Sequence, residues 1–576
     1  MMSHPPQHAA PVARRTPEGW VGLVATAVAV AAIVQGVFYR LWFIGHIPIN
    51  SDEAVTGLIA RAALHGHVTA FYWGQNYGGV EPFLDAVAFT VFPSNGVTLH
   101  AATAIIGLIG AFLLWRCARQ LVASRPLALS VTAVAVLFPT STVLVLTQAY
   151  GFRATEYALS FGLLLAALAV DRHPEGAWRW LVTGLVAGLG WWCSPEIVYI
   201  GIAAGLVVLA PWWQQRLWAQ RGRSAALLVG GFAIGSLPWW WYSFRTSFDT
   251  LHSHNAVVTS YGERLSVFFS HVLPQLFGFQ QTLSGDGLGI STTGVSHTLG
   301  VVVICVVLVA AALSAILAGG PRRALGIAAL VSPFAYAASP VTWYFVDGRY
   351  AIYLLPLYAL VLAIGLERLA YWRRLSISSA ARRIAISSVA AIVLAGVMVW
   401  SSWQFSVWSR LHSGTSATVF SGFSASDGGE VPIANALERS GHTVGWAGYW
   451  VAYRLDYLGD GALSFSPPPN EPVRSVALLH TAMRSPDSVW LVTSRAVHGQ
   501  GVPRDHSAAP GGIDWGELKH RFTSIGVTWR IDRVGSVPHI KVIDGTRVVR
   551  HFGGIWVIIP SRRVLPAEIG MTPSAP

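Results

Sequence analysis

The sequence predicts an α-helical polytopic membrane protein of about eleven transmembrane helices, followed by a water-soluble C-terminal domain of α/β or α+β type. Three observations carry this prediction. Of 576 residues, 53% are hydrophobic and only 11% are charged, against about 25% charged in soluble chains. Apolar runs recur at close to the ~20 residues that cross a bilayer as helix. Residues 406–576 lose those runs and carry Ser/Pro/Asp-rich loops with short β-like stretches instead.

Residues 1–18 are polar, include Arg14 and Arg15, and are expected to be a cytoplasmic tail. The apolar run from Trp20 to Ile44 is too long for a signal-peptide core and is read as a retained first span. Spans are placed at 19–44, 98–116, 126–146, 154–171, 178–194, 196–213, 224–243, 297–318, 324–339, 350–367 and 384–405. With the N-terminus inside, seventeen arginines fall in cytoplasmic segments. Six fall in outer ones: Arg40, Arg61, Arg153, Arg245, Arg264 and Arg349. Arginine is retained on the cytoplasmic side, so this asymmetry orients the bundle. The membrane domain is then 19–405, with a first outer loop at 45–97, and the odd span count puts 406–576 outside. Counting Gly79–Pro93 as a span would place Arg116, Arg119 and Arg125 outside, so it is read as a helix lying in the interface. The tryptophans at Trp191–Trp192, Trp212–Trp213 and Trp239–Trp241 sit near span ends and read as interface anchors.

The formal charge of +12 lies mostly on arginines between apolar runs, so topology accounts for it and no nucleic-acid partner is expected. Cys117, Cys193 and Cys305 fall inside expected spans, which argues against disulfides. In the C-terminal part, Val489–Thr493, Val527–Val534 and Ile540–Ile543 read as strands, and Ala434–Ser440 as the end of a helix before Gly441.

The first outer loop is the most informative segment. Asn50 can cap a helix while Glu53, three positions on, reaches back to it. Val55, Leu58, Ile59, Ala62 and Ala63 then form an amphipathic stripe that ends at Gly66, predicting a short helix resting on the membrane surface or the bundle. Asp52 and Glu53 open that helix. Acids there satisfy free amides and the helix dipole. They are equally placed to work as a base or ligand at the membrane face, where an ionisable group is costly. The following run, Phe71 to Pro82, contains Tyr77 and Glu81 among aromatics, amides and glycines. These suit sugar rings and hydroxyls, and suit an ordinary interfacial loop as well.

Ser51–Gly66 together with Phe71–Ala86 resembles the opening of bacterial GT-C glycosyltransferases, among them protein O-mannosyltransferases and the aminoarabinose transferases of lipid A. Tyr150–Tyr157, Trp191–Glu196, Asp347–Tyr350 with Leu355-Pro356, and Gly445–Leu455 are similar to later segments of that group. Glu81-Pro82 stands where many relatives carry a double proline.

The resemblance implies a membrane glycosyltransferase. It would move a sugar from a polyprenyl-phosphate donor in the membrane lipid to a glycan, lipid or protein acceptor at the outer face of the cytoplasmic membrane. Phosphate is a good leaving group, so one carboxylate base suffices. Direct displacement predicts inversion, unlike the two-carboxylate retaining arrangement. Asp52 is the expected base, with Glu53 orienting it or standing in for it. Arg153 and Arg349, at outer span ends, could hold the lipid phosphate bidentately, with Arg245 a weaker candidate. Glu156 and Glu196 are further site acids, and Asp347 could simply pair with Arg349. No cofactor is assigned. His252 and His254 form a pair that could bind metal, but the absence of a third ligand nearby argues against it; a role for a divalent metal ion stays open.

Three other functions compete. A transporter or lipid flippase would show repeated halves and charges buried mid-span, whereas these acids cluster at outer ends. A non-catalytic envelope-assembly scaffold would be indifferent to loss of Asp52. A polymerase or ligase moving whole glycans differs only in donor and acceptor size.

Overall fold

The computed structural model describes the chain except residues 1–16, 48, 215–217, 252–258, 283–288, 292–296, 340–347, 372–377, 413–426, 494–512, 514, 544–546 and 573–576. Helices dominate the first three quarters. They are α1 (Pro17–His46), α2 (Ser51–Leu64), α3 (Glu81–Phe89), α4 (Gly96–Leu121), α5 (Arg125–Leu137), α6 (Thr140–Val145), α7 (Arg153–Arg172) and α8 (Ala177–Cys193). Next come α9 (Val198–Gln214), α10 (Trp218–Gly235), α11 (Leu237–Arg245), α12 (Tyr261–Val267) and α13 (Leu273–Leu276). The last four are α14 (His297–Ala318), α15 (Gly320–Ala338), α16 (Leu354–Ala370) and α17 (Ser379–His412).

Among the described residues, five helices are long and apolar enough to cross a membrane: Trp20–His46, Gly96–Leu121, Arg153–Arg172, Thr298–Ala318 and Ser379–Val407. The chain is a multi-pass membrane protein. The other expected spans coincide with shorter or broken helices. The stretch 126–146 is divided at Phe138-Pro139, between α5 and α6, and 224–243 is divided at Ser236, between α10 and α11. The sequence reading took each of these as one helix, because hydropathy does not register a backbone break that keeps the side chains apolar.

The bundle closes where small residues let backbones meet. On α8, Gly184 and Gly188 face the backbone of Leu228 and Phe232 on α10. In return, Gly231 and Gly235 of α10 face the backbone of Leu181 and Leu185. Arg40, counted above as an outer arginine, is instead buried within α1. Its Nη1 donates to the carbonyls of Gly36 (3.0 Å) and Val136 (2.5 Å).

The segment Tyr261–Leu276 is helical, with a π-turn at Phe268–Val272, and Phe268, Val272, Leu273 and Leu276 join the main core. The amide of Gly348 donates to Gln275 Oε1, which holds the turn bearing Arg349. This part of the 246–296 loop is therefore structural. Gly285-Asp286-Gly287, His252, His254 and Asp347 lie outside the described residues.

Beyond α17 the chain adds α18 (Asp427–Arg439), α19 (Tyr449–Leu458), α20 (Val476–Arg484) and α21 (Trp515–Ser524). A small antiparallel pair, β1 (Gln280–Thr282) and β2 (Gly289–Ser291), belongs to the earlier part. The C-terminal sheet contains β3 (Val444–Ala447), β4 (Ser464–Ser466), β5 (Val489–Thr493), β6 (Trp529–Ile543) and β7 (Arg547–Pro560), in the order β4-β3-β5-β7-β6. Its β4-β3-β5 half is parallel and its β5-β7-β6 half antiparallel. The two strands read at 527–534 and 540–543 are one long strand with an irregularity between Val534 and Ser536. Its partner β7 was not anticipated, because Arg547–Gly554 lacks a clear period-2 alternation.

Candidate active site

The local chemistry of the first outer loop builds the site. Asn50 Oδ1 accepts from the Glu53 amide and Glu53 Oε2 accepts from the Asn50 amide, both at 3.0 Å, so the capping box forms as its sequence predicts. Glu53 is fully buried and takes three further partners: His100 Nε2 (2.7 Å), the Ala149 amide (3.0 Å) and Gln148 Nε2 (3.3 Å). Its carboxylate fastens the start of α2 to α4 and to the turn before α7. Both of its oxygens are thus engaged by donors, where the sequence reading expected Glu53 to orient Asp52 or stand in for it.

Asp52, next door, is half-buried. Its backbone carbonyl accepts from the Tyr72 hydroxyl (2.8 Å), and its Oδ1 accepts from the Tyr449 hydroxyl (2.5 Å). Tyr449 comes from the C-terminal domain, and so does Arg474. The Arg474 Nε lies 3.4 Å from the Tyr449 hydroxyl, and its Nη1 donates to the Gly74 carbonyl at 3.2 Å. Its guanidinium sits over the rings of Tyr72 (5.8 Å) and Tyr449 (5.7 Å). Burial and then the Asp52 charge push the Tyr449 hydroxyl up, so it stays a proton donor. Burial opposes the Arg474 charge, and the Asp52 carboxylate nearby favours it.

The helix α2 does not simply rest on the bundle. The helix α19 covers it: Gly57 has no side chain where the Tyr457 ring lies, and a Cβ there would collide with that ring. A second glycine is required at Gly151, with φ +84°, where the Tyr72 ring packs against its backbone.

A cavity of about 300 Å³ opens beside this loop. Tyr77, Phe152, Trp191, Glu196, Tyr199 and Tyr350 give it an aromatic wall with one acid. Asp52 is not among its lining residues. Tyr77 bridges the two places: it lines the cavity, and its hydroxyl is pushed up first by burial and then by Tyr350, while Arg474, Arg153 and Asp52 also act on it. The aromatic loop thus contributes Tyr77 to the cavity lining.

Arg153 and Glu196 stand together at that wall. Arg153 Nη1 contacts both Glu196 oxygens (2.7 and 3.0 Å) and donates to the Arg349 carbonyl (3.1 Å). Its guanidinium also stacks on Phe152 and Tyr350. Arg349 is nearly buried, its guanidinium 5.2 Å from the Tyr150 ring centre. The structure therefore brings Arg153, Arg349 and Glu196 together. It also commits Arg153 Nη1 to Glu196, so the bidentate grip on phosphate expected of Arg153 would require that pair to open. Glu156 is fully buried one turn below Arg153, against Cys193. Arg245 is exposed with its guanidinium over Trp241 and does not line the cavity.

Glu81 is fully buried and accepts from the Gly151 amide (2.9 Å) and from the Thr155 amide (3.3 Å) and hydroxyl (3.1 Å). It ties α3 to the start of α7, a structural use of a residue expected to bind substrate. Burial pushes its carboxyl up, as it does that of Asp85 one turn on. Among the described residues, no three His, Cys, Asp or Glu side chains converge as metal ligands would.

No family model matches the chain, and no curated protein matches it in sequence. Solved structures do. ArnT from Cupriavidus metallidurans in the apo state aligns with TM-score 0.52 at 16% identity, covering 81% of this chain and 88% of that one. The same protein bound to undecaprenyl phosphate aligns with TM-score 0.52 at 13% identity, covering 97% and 100%. The chain has the GT-C fold. Identities this low establish the architecture alone, and it is the architecture anticipated from the first outer loop.

Within this GT-C fold, sequence reasoning overlooked Tyr449, Arg474 and His100. Tyr449 lies in the Gly445–Leu455 stretch, which carried a family resemblance but no assigned role. Arg474 follows a proline-rich loop and has no local signal, and His100 is a lone histidine near the start of an apolar helix. The expected anchor Trp192 instead donates to the Ala70 carbonyl (2.6 Å), and Trp239 is buried against Trp191. The side chains of Trp212 and Trp213 lie outside the described part.

Proposed function

We propose that the chain is a membrane glycosyltransferase that moves a sugar from a polyprenyl-phosphate carrier to a cell-envelope acceptor. The reading rests on one arrangement above all: a half-buried carboxylate, Asp52, near Tyr77 of an aromatic cavity whose lining residues Phe152, Glu196 and Tyr350 pack against Arg153. The GT-C fold supports it, and ArnT, whose architecture is shared, has been solved with undecaprenyl phosphate bound.

The chemistry needs few groups. The acceptor hydroxyl oxygen attacks the anomeric carbon while Asp52 takes its proton. The bond from that carbon to the phosphate oxygen breaks, and polyprenyl phosphate leaves with the electron pair. A single direct displacement inverts the anomeric centre. Arg153, stacked on Phe152 and Tyr350 of the cavity lining, and Arg349 beside it would take the lipid phosphate, and fixed cations lower the barrier as charge grows on the leaving group. The aromatic wall suits a sugar face or the first isoprene units. Glu196 holds Arg153 in place until an anion competes for it. A divalent ion would need ligands beyond those that converge among the described residues.

The site sits at one end of the bundle, on the side of the first loop. Our reading of the arginine asymmetry puts the N-terminus in the cytoplasm, and residues 406–576 and the reaction on the outer face.

The test is reconstitution of the full chain in lipid nanodiscs with a panel of synthetic polyprenyl-phosphate hexoses and pentoses, reading release of polyprenyl phosphate in the presence of envelope extract. Release from at least one donor, lost in Asp52→Asn, is the expected result. A chain that moves intact lipid-linked sugar across vesicles without cleaving it would replace this reading with the flippase one.

A further inference from the structure

We infer that Tyr449 and Arg474, both supplied by the C-terminal domain, are positioning residues for the Asp52 base, so that the active site is complete only when that domain is docked on α2. The inference deepens the glycosyltransferase reading and rests on it.

The topology explains the placement. The strand β3 is flanked by β4 and β5, both parallel to it. Tyr449 follows its carboxyl end after a single glycine. The carboxyl ends of parallel strands, where connections diverge to either side, are where such sheets place functional groups. Here that end faces α2.

Tyr449 is held from both directions. Its amide donates to Glu471 Oε2 (2.6 Å), and its hydroxyl lies between Asp52 Oδ1 and Arg474. Arg474 is placed in turn by the Tyr453 hydroxyl, which accepts from the amides of Arg474 (2.6 Å) and Ser475 (3.2 Å). The Arg474 contact with Gly74 reaches the same aromatic loop that carries Tyr77. The docking that brings these groups in is specific. Arg61 of α2 donates to the Tyr457 carbonyl (2.8 Å), stacks on the Tyr457 ring (4.1 Å) and pairs with Asp460 (3.3 Å).

A donor on Oδ1 fixes the plane of the carboxylate. Among the described residues Oδ2 accepts no hydrogen bond, and it is the oxygen left to receive the acceptor proton. A base held in one orientation avoids the loss of rate that misplacement brings.

The experiment uses the full chain in nanodiscs and a polyprenyl-phosphate sugar that it cleaves, with rates measured across pH about 5 to 9. Tyr449→Phe keeps the ring packed on Trp450 and Tyr453 and removes only the hydroxyl. It is expected to lower kcat about 10- to 100-fold, the range for a hydrogen bond to a charged group, with KM for the donor little changed. Arg474→Gln falls similarly, and Arg474→Lys regains part of the rate, which gives a second test should Tyr449→Phe fold poorly. A Tyr449→Phe enzyme with wild-type kcat, or one faster than wild type, overturns the inference while leaving Asp52 as the base. An Asp52→Asn chain as fast as wild type overturns the glycosyltransfer reading itself.

Discussion

The Tyr449 hydroxyl donates to Asp52 Oδ1 across a separation of 397 positions in sequence. One residue lies in the short helix α2 and the other opens the helix α19 of the C-terminal domain. Their contact ties the two parts of the chain together.

Replacing Asp52 by Asn is expected to lower polyprenyl-phosphate release by at least about 100-fold, the lower range for loss of a general base. Binding of undecaprenyl phosphate, read by native mass spectrometry, should be unchanged, since the substitution removes charge without changing shape. Loss of binding together with turnover would assign Asp52 to donor recognition instead.

Arg153→Lys tests the wall of the cavity. Lysine is a point charge and cannot reproduce a planar fork stacked on Phe152 and Tyr350. KM for the lipid donor should rise about tenfold, equivalent to about 1.4 kcal/mol. An unchanged KM would make the Arg153–Glu196 pair purely structural.

Arg61→Ala should loosen the C-terminal domain. The variant loses the contacts to Tyr457, Ser94 and Asp460, worth about 1 to 3 kcal/mol in all because the guanidinium is largely covered. Hydrogen–deuterium exchange should rise across 449–475, and turnover should fall with it. Gly57→Val, which sets a branched side chain against the Tyr457 ring, should do the same. Faster exchange without loss of turnover would show that docking is dispensable.

Glu471 gives a pH signature. Burial raises its carboxyl from 4.5 to about 7, partly offset by the Tyr449 amide. Between those pH values the folded state holds more protons than the unfolded one, so stability falls as pH rises through the window and the loss is complete above about 7. Its size is at most about 3 kcal/mol, reduced by the side chain's partial exposure. Glu471→Gln should flatten that dependence and raise the melting temperature at alkaline pH. A melting curve with unaltered pH dependence would show that another group sets it.

Much of the architecture was legible because its causes are local. The capping box around Asn50 and Glu53 follows from side chains three residues apart, and the apolar helices follow from hydropathy. What failed was whatever depended on a distant partner. Glu53 reads as a helper or substitute for Asp52, and nothing in the sequence signals that His100, Gln148 and Ala149 close on it. Arg40 reads as an outer charge until the Val136 carbonyl is seen to receive it. Glu81 reads as a ligand for substrate until Gly151 and Thr155 take its oxygens.

The sequence by itself determined that this chain lives in a membrane, that its first outer loop opens with a capped helix, and that an acid stands at the head of it. Periodicity, charge deficit and capping chemistry act over a few residues and need no folded context. Only the tertiary structure decided which of the two adjacent acids is available: it buries Glu53 among donors from three segments and leaves Asp52 beside Tyr449 and Arg474. Hydrogen bonds reach about 3 Å, so the fate of a carboxylate is settled by whatever the fold carries to that distance, however far away along the chain.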